Sequence, residues 1–341
     1  MANIYALLDT AAAEANLRAA SEVCGEITYE EYLRNNGASG DAYELLATML
    51  RALLGVEPRE VSIGYYVDYI KSGGGLKALG SDSADGAQYM RLRQGMQSVS
   101  KCLANDLNPG SVRLGDAVLS IDQRESQCVV RTANGLFFTG KNVIVSVPTT
   151  LYDTISFLPA LPEDKCVLSE STTLGYYSKV ILIYSNPWWR EDGLNGAFIS
   201  FNGPISFTRD TSTDKDKQYS ITCFLIADPG RQWSILSKGA RRNDILNHLA
   251  SMVGPKNSAE VYNTIEIVEH EWSKEPWCKG APSPVMKPGL LGKYSNALRA
   301  PFGKIHFVGT ETAYEWKGYM EGAIAAGERG AAEVLIGLGK V

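Results

Sequence analysis

The chain has 341 residues, of which 45% are apolar and 21% are charged, and its formal net charge at pH 7 is −5. A chain of this length exceeds the size at which one hydrophobic core usually stops growing, so two domains are expected. Acidic and basic residues are scattered along it, and no run of five or more basic residues could follow a phosphate backbone. This pattern argues against a nucleic-acid partner.

The cysteines lie far apart and form no C-x-x-C pair: Cys24, Cys102, Cys128, Cys166, Cys223 and Cys278. This spacing is typical of free thiols in a reducing compartment and not of a small disulfide framework. No apolar stretch reaches the ~18 residues of a membrane span. Met1 to Ala20 carries acidic residues where a secretory leader has a basic region. The sequence therefore predicts a cytoplasmic protein without a membrane anchor.

The first part of the chain is predicted to be helical. From Ile4 to about Tyr69 apolar residues recur three and four positions apart, most clearly from Ala42 to Leu54, which indicates several helices and no strand. The glycines at 73–75 then mark a turn. Beyond it the pattern predicts a helix followed by two short strands: Met96 to Ala104, Val112 to Leu114, and Ala117 to Ile121.

The rest of the chain is predicted to be mainly strands. Asn134-Gly135 between two alternating runs is a strong hairpin signal, and Asn142 to Pro148 is typical of a buried strand in an α/β layer. Three longer strands and one helix follow: Lys179 to Tyr184, Tyr219 to Ile226, the helix Arg241 to Met252, and Glu260 to Glu269. The chain ends with a strand from Ile305 to Val308, a Gly-Thr turn, and a helix from about Gly318 to Gly337.

The segment from Phe307 to Gly330 carries the strongest functional signal. A strand runs into the Gly309-Thr310 turn and a helix rich in small residues, so free backbone N–H groups at a helix N-terminus can face an anion or a polarised ring. The same pattern also occurs in an ordinary strand–turn–helix whose Gly and Ala serve close packing. This segment closely resembles, without a gap, the C-terminal flavin-binding signature of the FAD-dependent amine oxidases.

The resemblance implies a role for each residue of the signature. Backbone groups of Gly309, Thr310 and Met320 would contact the flavin. Glu311 would lie near its ribityl or pyrophosphate part, and Tyr319 would form a wall of the substrate site in front of the ring.

Other segments match the same family. Gly175 to Trp189 resembles the strand whose lysine holds a water against flavin N5, which implies this role for Lys179. Alternation along the strand could instead place Lys179 on the solvent face. Trp272 resembles the tryptophan beside the flavin ring, although it could be a core aromatic residue. Val118 falls where a backbone group contacts the adenosine half of FAD.

Two positions depart from the monoamine oxidases. Ala281 occupies the place of the cysteine that bonds covalently to the flavin, and Cys278 lies three residues earlier. Pro282 occupies the place of the second aromatic residue of the substrate cage, which leaves only Tyr319. We therefore expect noncovalent FAD and a pocket that does not hold an amine between two ring faces, which makes simple arylalkylamines poor candidate substrates.

The first 70 residues lack the strand–GxGxxG–helix unit of a dinucleotide site. Residues 73–78 match part of this pattern, but they follow a helical stretch and are interpreted as a loop. Without the phosphate-binding loop, FAD binding is expected to be weak or lost. The histidines at 248, 270 and 306 lack ligand spacing, so no metal site is predicted.

The predicted fold is therefore a mixed α/β chain resembling an incomplete amine oxidase. We predict a partial Rossmann-like FAD-binding domain and a mixed-sheet substrate domain with flanking helices. Four segments compose them: 1–85, the helical part of the substrate domain; 86–150, the partial FAD-binding domain; 151–300, the substrate-binding mixed sheet; and 301–341, the C-terminal FAD-binding strand–turn–helix.

Three functions are compatible with this fold. In the first, the chain oxidises the C–N bond of a small-molecule amine with FAD and O2, giving imine and H2O2, once an N-terminal module is supplied in the same or a separate polypeptide. In the second, the cleft catalyses a cyclisation or isomerisation in secondary metabolism without FAD. In the third, the chain is a noncatalytic partner of a full-length paralogue. A homo-oligomer is also compatible with the exposed sheet edge that the missing strand would leave.

Overall fold

The computed structural model describes Ala6 and residues 26–340. Within residues 26–340 the α-helices are α1 (Tyr29–Asn35), α2 (Gly40–Leu54), α3 (Ile63–Ser72), α4 (Leu76–Gly80), α5 (Gln97–Asn105), α6 (Glu163–Ser171), α7 (Trp188–Glu191), α8 (Ala227–Ser234), α9 (Lys238–Val253), α10 (Leu290–Arg299) and α11 (Met320–Gly337). Apart from Ala6, the helices predicted before residue 26 lie outside the described residues.

The strands of the same residues are β1 (Val118–Asp122), β2 (Cys128–Thr132), β3 (Phe137–Gly140), β4 (Val143–Val145), β5 (Ser156–Leu158), β6 (Tyr177–Tyr184), β7 (Phe207–Asp210), β8 (Tyr219–Ile226), β9 (Glu266–Glu271) and β10 (Ile305–Phe307). Short 3₁₀ helices connect several of them: Pro58–Glu60, Thr149–Thr154, Asp214–Asp216, Glu260–Tyr262, Trp272–Lys274 and Thr310–Thr312.

The described chain divides into two compact units, and the first contains residues 27–61 and 173–285. Its sheet has the order β7-β8-β6-β9, and all three pairings are antiparallel. Along β6 the even-numbered residues from Ser178 to Tyr184 are buried, whereas the odd-numbered ones are half-buried. The buried face packs on Trp189, Trp233 and α9 to form the core of this unit.

The second unit contains residues 62–172 and 286–340. One sheet has the order β3-β2-β1-β5, and β4 pairs in parallel with β10. Ile121, Val145 and Phe307 contribute to the core of this unit, and the Tyr152 ring lies 5.3 Å from that of Phe307. The unit also contains α11, where a Cβ at Gly330 would lie 2.4 Å from Val308, so glycine allows this close approach.

The expected mixed α/β fold is confirmed. The predicted helices after residue 95 correspond to α5, α9 and α11, and the Asn134-Gly135 turn joins the antiparallel strands β2 and β3. Residues 26–69 contain α1, α2 and most of α3 and no named strand, as predicted. The domain boundaries drawn from the sequence remain predictions, and the two units are described here independently of them.

Two strand predictions were wrong. Val112 to Leu114 is irregular, and Leu114 is 89% exposed, because nothing in the described residues covers an apolar face there. Glu260–Tyr262 is a 3₁₀ helix, so the strand predicted from Glu260 begins only at Glu266. Asn142 to Pro148 is a strand only over β4.

The described cysteines are free thiols, as predicted, and Cys24 lies outside the described residues. Among the described residues no helix is long and apolar enough to cross a membrane.

The first unit requires a glycine before β6. A Cβ at Gly175 would lie 2.3 Å from the Leu54 oxygen and 2.7 Å from the Ala281 oxygen, and both are backbone atoms that cannot rotate away. We predict that Gly175→Ala lowers the free energy of unfolding by about 1–3 kcal/mol, the usual effect of overpacking. Urea unfolding followed by circular dichroism measures this change.

Gly239→Ala in α9 is the matched control, because a Cβ there meets nothing within 4 Å. It should be neutral or slightly stabilising, since alanine is the better helix former. Equal urea midpoints for the two variants would contradict the close packing of Gly175.

Candidate functional site

A row of four side chains crosses the half-buried face of the first unit's sheet. Lys179 pairs with Phe224 of β8 and His270 of β9, and Phe224 pairs in turn with Phe207 of β7. Directly paired residues share a face of the sheet, so the order across it is Phe207, Phe224, Lys179, His270. The Phe207 and Phe224 rings are stacked with centroids 4.3 Å apart.

Lys179 is desolvated by this surface. Its Nζ lies 5.2 Å from the Phe224 ring centroid, which places the ammonium group within cation–π distance. Partial burial lowers the pKa of Lys179, and among the described residues no carboxylate forms a salt bridge with it. Lys179 therefore lies neither in the core nor fully in solvent, and its Nζ can act as a hydrogen-bond donor.

Trp272 follows β9 directly. Its ring contacts that of His270 edge to face, with centroids 4.3 Å apart, and 39% of the residue is exposed. Trp272 is therefore not a core residue of this unit. His270 is also the cross-strand partner of Lys179, so it links Lys179 to Trp272 across the sheet.

Glu271, the residue before Trp272, is fixed by a network of hydrogen bonds. Its carboxylate accepts hydrogen bonds from the Tyr176 hydroxyl at 2.9 Å, from Lys274 Nζ at 2.7 Å, and from Arg241 at 3.1 Å. Burial alone would raise the pKa of Glu271, but the hydrogen bonds from Lys274, Ser234 and Tyr176 hold it below the usual range. The resulting network fixes the end of β9, from which Trp272 projects.

Ala281 and Pro282 lie in a loop packed against the same unit. The Ala281 N–H donates to the Gly175 oxygen at 3.0 Å, and the Ala281–Pro282 peptide bond is cis. Ala281 is half-buried and Pro282 is exposed. Neither residue carries an aromatic ring or a thiol, so these two positions supply no aromatic wall and no covalent bond to a flavin.

In the second unit, β10 leads into a tightly closed turn. Gly309 has φ of +120°, which favours glycine, and a Cβ there would lie 2.8 Å from Glu311 Oε2. The Thr310 hydroxyl donates to the Tyr319 carbonyl at 2.8 Å, and the Thr312 hydroxyl donates to the Gly309 carbonyl at the same distance. The signature residues 309–312 and 319 are thus joined in one hydrogen-bonded loop.

Glu311 is a buried carboxylate without a cationic partner in the described residues. It is 5% exposed and accepts the Thr149 N–H at 3.1 Å. Burial raises the pKa of Glu311 to about 7, although the backbone hydrogen bonds oppose the shift. Such a group accepts hydrogen bonds from hydroxyls readily, whereas a phosphate beside it would be repelled once Glu311 ionises.

Tyr319 lies at the N-cap of α11. No side chain caps this helix, so backbone N–H groups of its first turn remain available to a polar ligand. Tyr319 is half-buried, its hydroxyl hydrogen-bonds with the side chains of Tyr69 and Gln88, and its ring contacts Trp316 at 5.7 Å. The next residue, Met320, is 39% exposed.

The residues of the second unit fit one half of FAD. Uncapped N–H groups at α11 suit the polar edge of a flavin ring, and the buried Glu311 carboxylate suits ribityl hydroxyls. Val118, at the start of β1, packs on the core that contains Phe307. The pyrophosphate half has no such cradle in the described residues, because Gly73 ends a helix and α4 has only five residues. Residues 73–75 form a turn, but residues 76–78 belong to α4, so the interpretation of the whole 73–78 segment as a loop was wrong in its second half.

The sequence did not identify Phe207, Phe224 or His270 as site residues. Their signal was present but incomplete, because alternation shows which residues of one strand share a face and cannot show which strands are neighbours. The roles assigned to the signature residues, and to Lys179, Trp272, Val118, Ala281 and Pro282, remain predictions.

Comparisons with known proteins agree with this geometry. Residues 26–335 match the family model described as flavin containing amine oxidoreductase. A probable flavin-containing monoamine oxidase A of Dictyostelium discoideum is 33% identical over 310 residues, covering 91% of this chain and 67% of the relative. Flavin-containing amine oxidase B of Homo sapiens is 31% identical over 323 residues, 94% of this chain and 61% of the relative.

Solved structures align over nearly the whole chain. Wild-type putrescine oxidase bound to putrescine has a TM-score of 0.91 at 26% identity, and cyclohexylamine oxidase from Brevibacterium oxydans IH-35A has 0.89 at 26%. Each alignment covers 98% of this chain and 74% of the solved one. The chain spans about two-thirds of the length of its curated relatives.

The burial of Glu311 has a consequence for stability. Its pKa is about 7 in the folded chain and near 4.5 when solvated, so between these values the folded state binds more protons than the unfolded state. The Glu311 contribution to stability is therefore present at low pH and is lost as pH rises through this window. We predict that the native chain loses roughly 2–3 kcal/mol of unfolding free energy relative to Glu311→Gln between about pH 5 and pH 8.

Urea unfolding at the two pH values measures this gain, and Glu328→Gln is the control because Glu328 lies exposed on the same unit. A pH-independent difference between Glu311→Gln and the native chain would show that Glu311 is not a desolvated carboxylate.

Proposed function

Because the chain belongs to the flavin-containing amine oxidoreductase family, we propose that it forms the substrate face and the flavin-ring contacts of an FAD-dependent amine oxidase. FAD is the cofactor that this membership implies. When bound, it would accept a hydride from the carbon next to an amine nitrogen and pass the electrons to O2, giving an imine and H2O2. The observation that carries the proposal is that Lys179, which has no carboxylate partner in the described residues, pairs across the sheet with His270, whose ring contacts Trp272.

We assign Lys179 to holding a water. A lysine that is partly desolvated and has no carboxylate partner in the described residues keeps its Nζ hydrogens free to bind a water. Phe224 covers one side of the ammonium group, so a water bound at Nζ is restricted to the remaining sides. Phe207, stacked on Phe224, extends this apolar floor.

Tyr319 is assigned to the wall of the amine pocket, and this wall is single. Ala281 and Pro282 carry no aromatic ring, and contact with one ring face contributes less to binding a small amine than a two-ring cage would. We therefore propose an amine-bearing metabolite instead of a simple arylalkylamine. Glu311 is assigned to the ribityl hydroxyls because its carboxylate would repel a pyrophosphate.

The adenosine and pyrophosphate half of FAD needs residues from elsewhere. Helix α5 has no buried residue, and apolar side chains around it are exposed: Tyr89, Met90, Leu92, Met96, Leu103, Leu107, Val112 and Leu114. Apolar surface of this extent usually marks an interaction site. We propose that a segment carrying the phosphate-binding loop covers it, either in a longer form of this chain or as a separate polypeptide.

We expect the 341-residue chain to bind FAD weakly and to lose it on desalting, since the charge-assisted bonds to the pyrophosphate are missing. Adding a polypeptide with a strand–GxGxxG–helix unit from a relative should restore a retained visible flavin band. Absorption spectra before and after desalting measure both. A band retained by the chain alone would contradict the weak binding. A folded chain that binds no FAD even with the added unit would contradict the oxidase and favour the flavin-free alternative.

In the completed flavoprotein, Lys179→Met should lower kcat for amine oxidation by roughly 10²-fold, the lower range for a group that positions or transfers a proton. Flavin retention should not change. Peroxide release under saturating amine measures the rate, and Lys238→Met at the exposed start of α9 is the control. Unchanged kcat in the Lys179 variant would remove this lysine from the reaction.

A further inference from the structure

The loop before α11 is built on the last turns of α3. The Trp316 N–H donates to the Ser72 carbonyl at 2.8 Å, and the Lys317 N–H donates to the Ser72 hydroxyl at 3.2 Å. Gly318 lies against the ring of Tyr69, where a Cβ would come within 2.9 Å of a ring carbon. Consecutive residues of the loop are therefore fixed to one turn of a helix far away in sequence.

A buried ion pair lies beneath this loop. Lys317 Nζ donates to Asp68 of α3, and the residues are 3% and 8% exposed. Desolvation lowers the pKa of Lys317, Asp68 opposes the shift, and the nearby Arg299 adds to it. Buried pairs of this kind contribute little net stability, because desolvation offsets most of the attraction, but they tolerate few alternative geometries. The Asp68–Lys317 pair therefore serves to hold the loop in one position more than to stabilise the fold.

The loop also contains a strained residue. Trp316 has φ of +52°, a conformation that bulky L-residues rarely adopt. Such a residue persists only where its surroundings determine it. Its carbonyl accepts the Tyr319 N–H at 3.0 Å, and its ring contacts the Tyr319 ring, so the conformation of Trp316 directly sets that of Tyr319.

We propose that the Asp68–Lys317 pair positions Tyr319, by locking the Trp316 to Gly318 turn onto α3. Asp68 and Lys317 are thus positioning residues for the wall of the amine pocket, although neither needs to contact an amine. The inference rests on the proposed function for the role of Tyr319 in that pocket. The positioning itself requires no flavin and can be tested without it.

The test is ¹⁹F NMR of the 341-residue chain with 3-fluorotyrosine at position 319, in four backgrounds: Lys317→Met, Asp68→Leu, the double variant, and Lys165→Met. Each single variant leaves an unpaired buried charge and should lower the melting temperature. Both should also move the Tyr319 resonance by more than its linewidth. The double variant, which buries no charge, should recover the melting temperature while its resonance stays displaced.

Lys165→Met is the matched control. Lys165 is a second buried lysine of the same unit, 2% exposed, which packs 3.7 Å from the Phe307 ring centroid and donates to the Ala297 carbonyl. Its loss should lower the melting temperature without moving the Tyr319 resonance. The proposal is overturned if the double variant has the native resonance, or if Lys165→Met displaces it as far as Lys317→Met does.

The completed flavoprotein gives an independent readout. There the double variant should raise KM for the amine more than it lowers kcat. If neither the native flavoprotein nor any variant oxidises amines, the proposed function fails. The NMR result still decides whether the ion pair positions Tyr319.

Discussion

The pairing register of β6 decides which side chains reach the candidate site. Its side chains alternate between a buried face, which packs on Trp189 and Trp233, and a half-buried face that carries Lys179. A slip of one residue would place Lys179 in the apolar core and Val180 outside it. Because β6 is paired on both sides, with β8 over eight residues and with β9 over six, such a slip would break two ladders at once. The core of the first unit therefore holds the site residue in place.

The second unit uses polar groups in a different way. Glu311 has backbone donors but no cation in the described residues, so its protonation can change near neutral pH. Asp68 accepts a hydrogen bond from Lys317 Nζ, and this contact fixes both side chains. The first arrangement suits contact with a polar ligand, because a buried carboxylate without a cation gains from a further donor. The second suits holding a loop still, because neither charge can leave its partner without a large desolvation cost.

The sequence predicted local structure wherever one period dominated. Alternation identified β6 and β8, the Asn-Gly pair identified the β2–β3 hairpin, and apolar periodicity identified α9 and α11. The predicted strand from Val112 to Leu114 failed because alternation indicates a strand only where one face is covered. Local patterns also cannot show which residues from distant parts of the chain become neighbours. Neither the juxtaposition of Lys179 with His270 nor the Asp68–Lys317 pair, whose members are 249 positions apart, follows from any local pattern.

The groups suited to binding FAD are unevenly distributed over the described residues, which carry contacts for one half of the cofactor and no cradle for the other. Contacts to a flavin ring and ribityl chain can come from a strand end, a glycine turn and an uncapped helix, and all three lie within residues 305–337. A pyrophosphate needs converging N–H donors and a positive environment, which a βαβ unit supplies. Glu311, once ionised, makes its surroundings negative instead. A ring contact orients the cofactor, whereas a phosphate cradle adds charge-assisted hydrogen bonds, so the two halves of FAD make different demands on the residues that hold them.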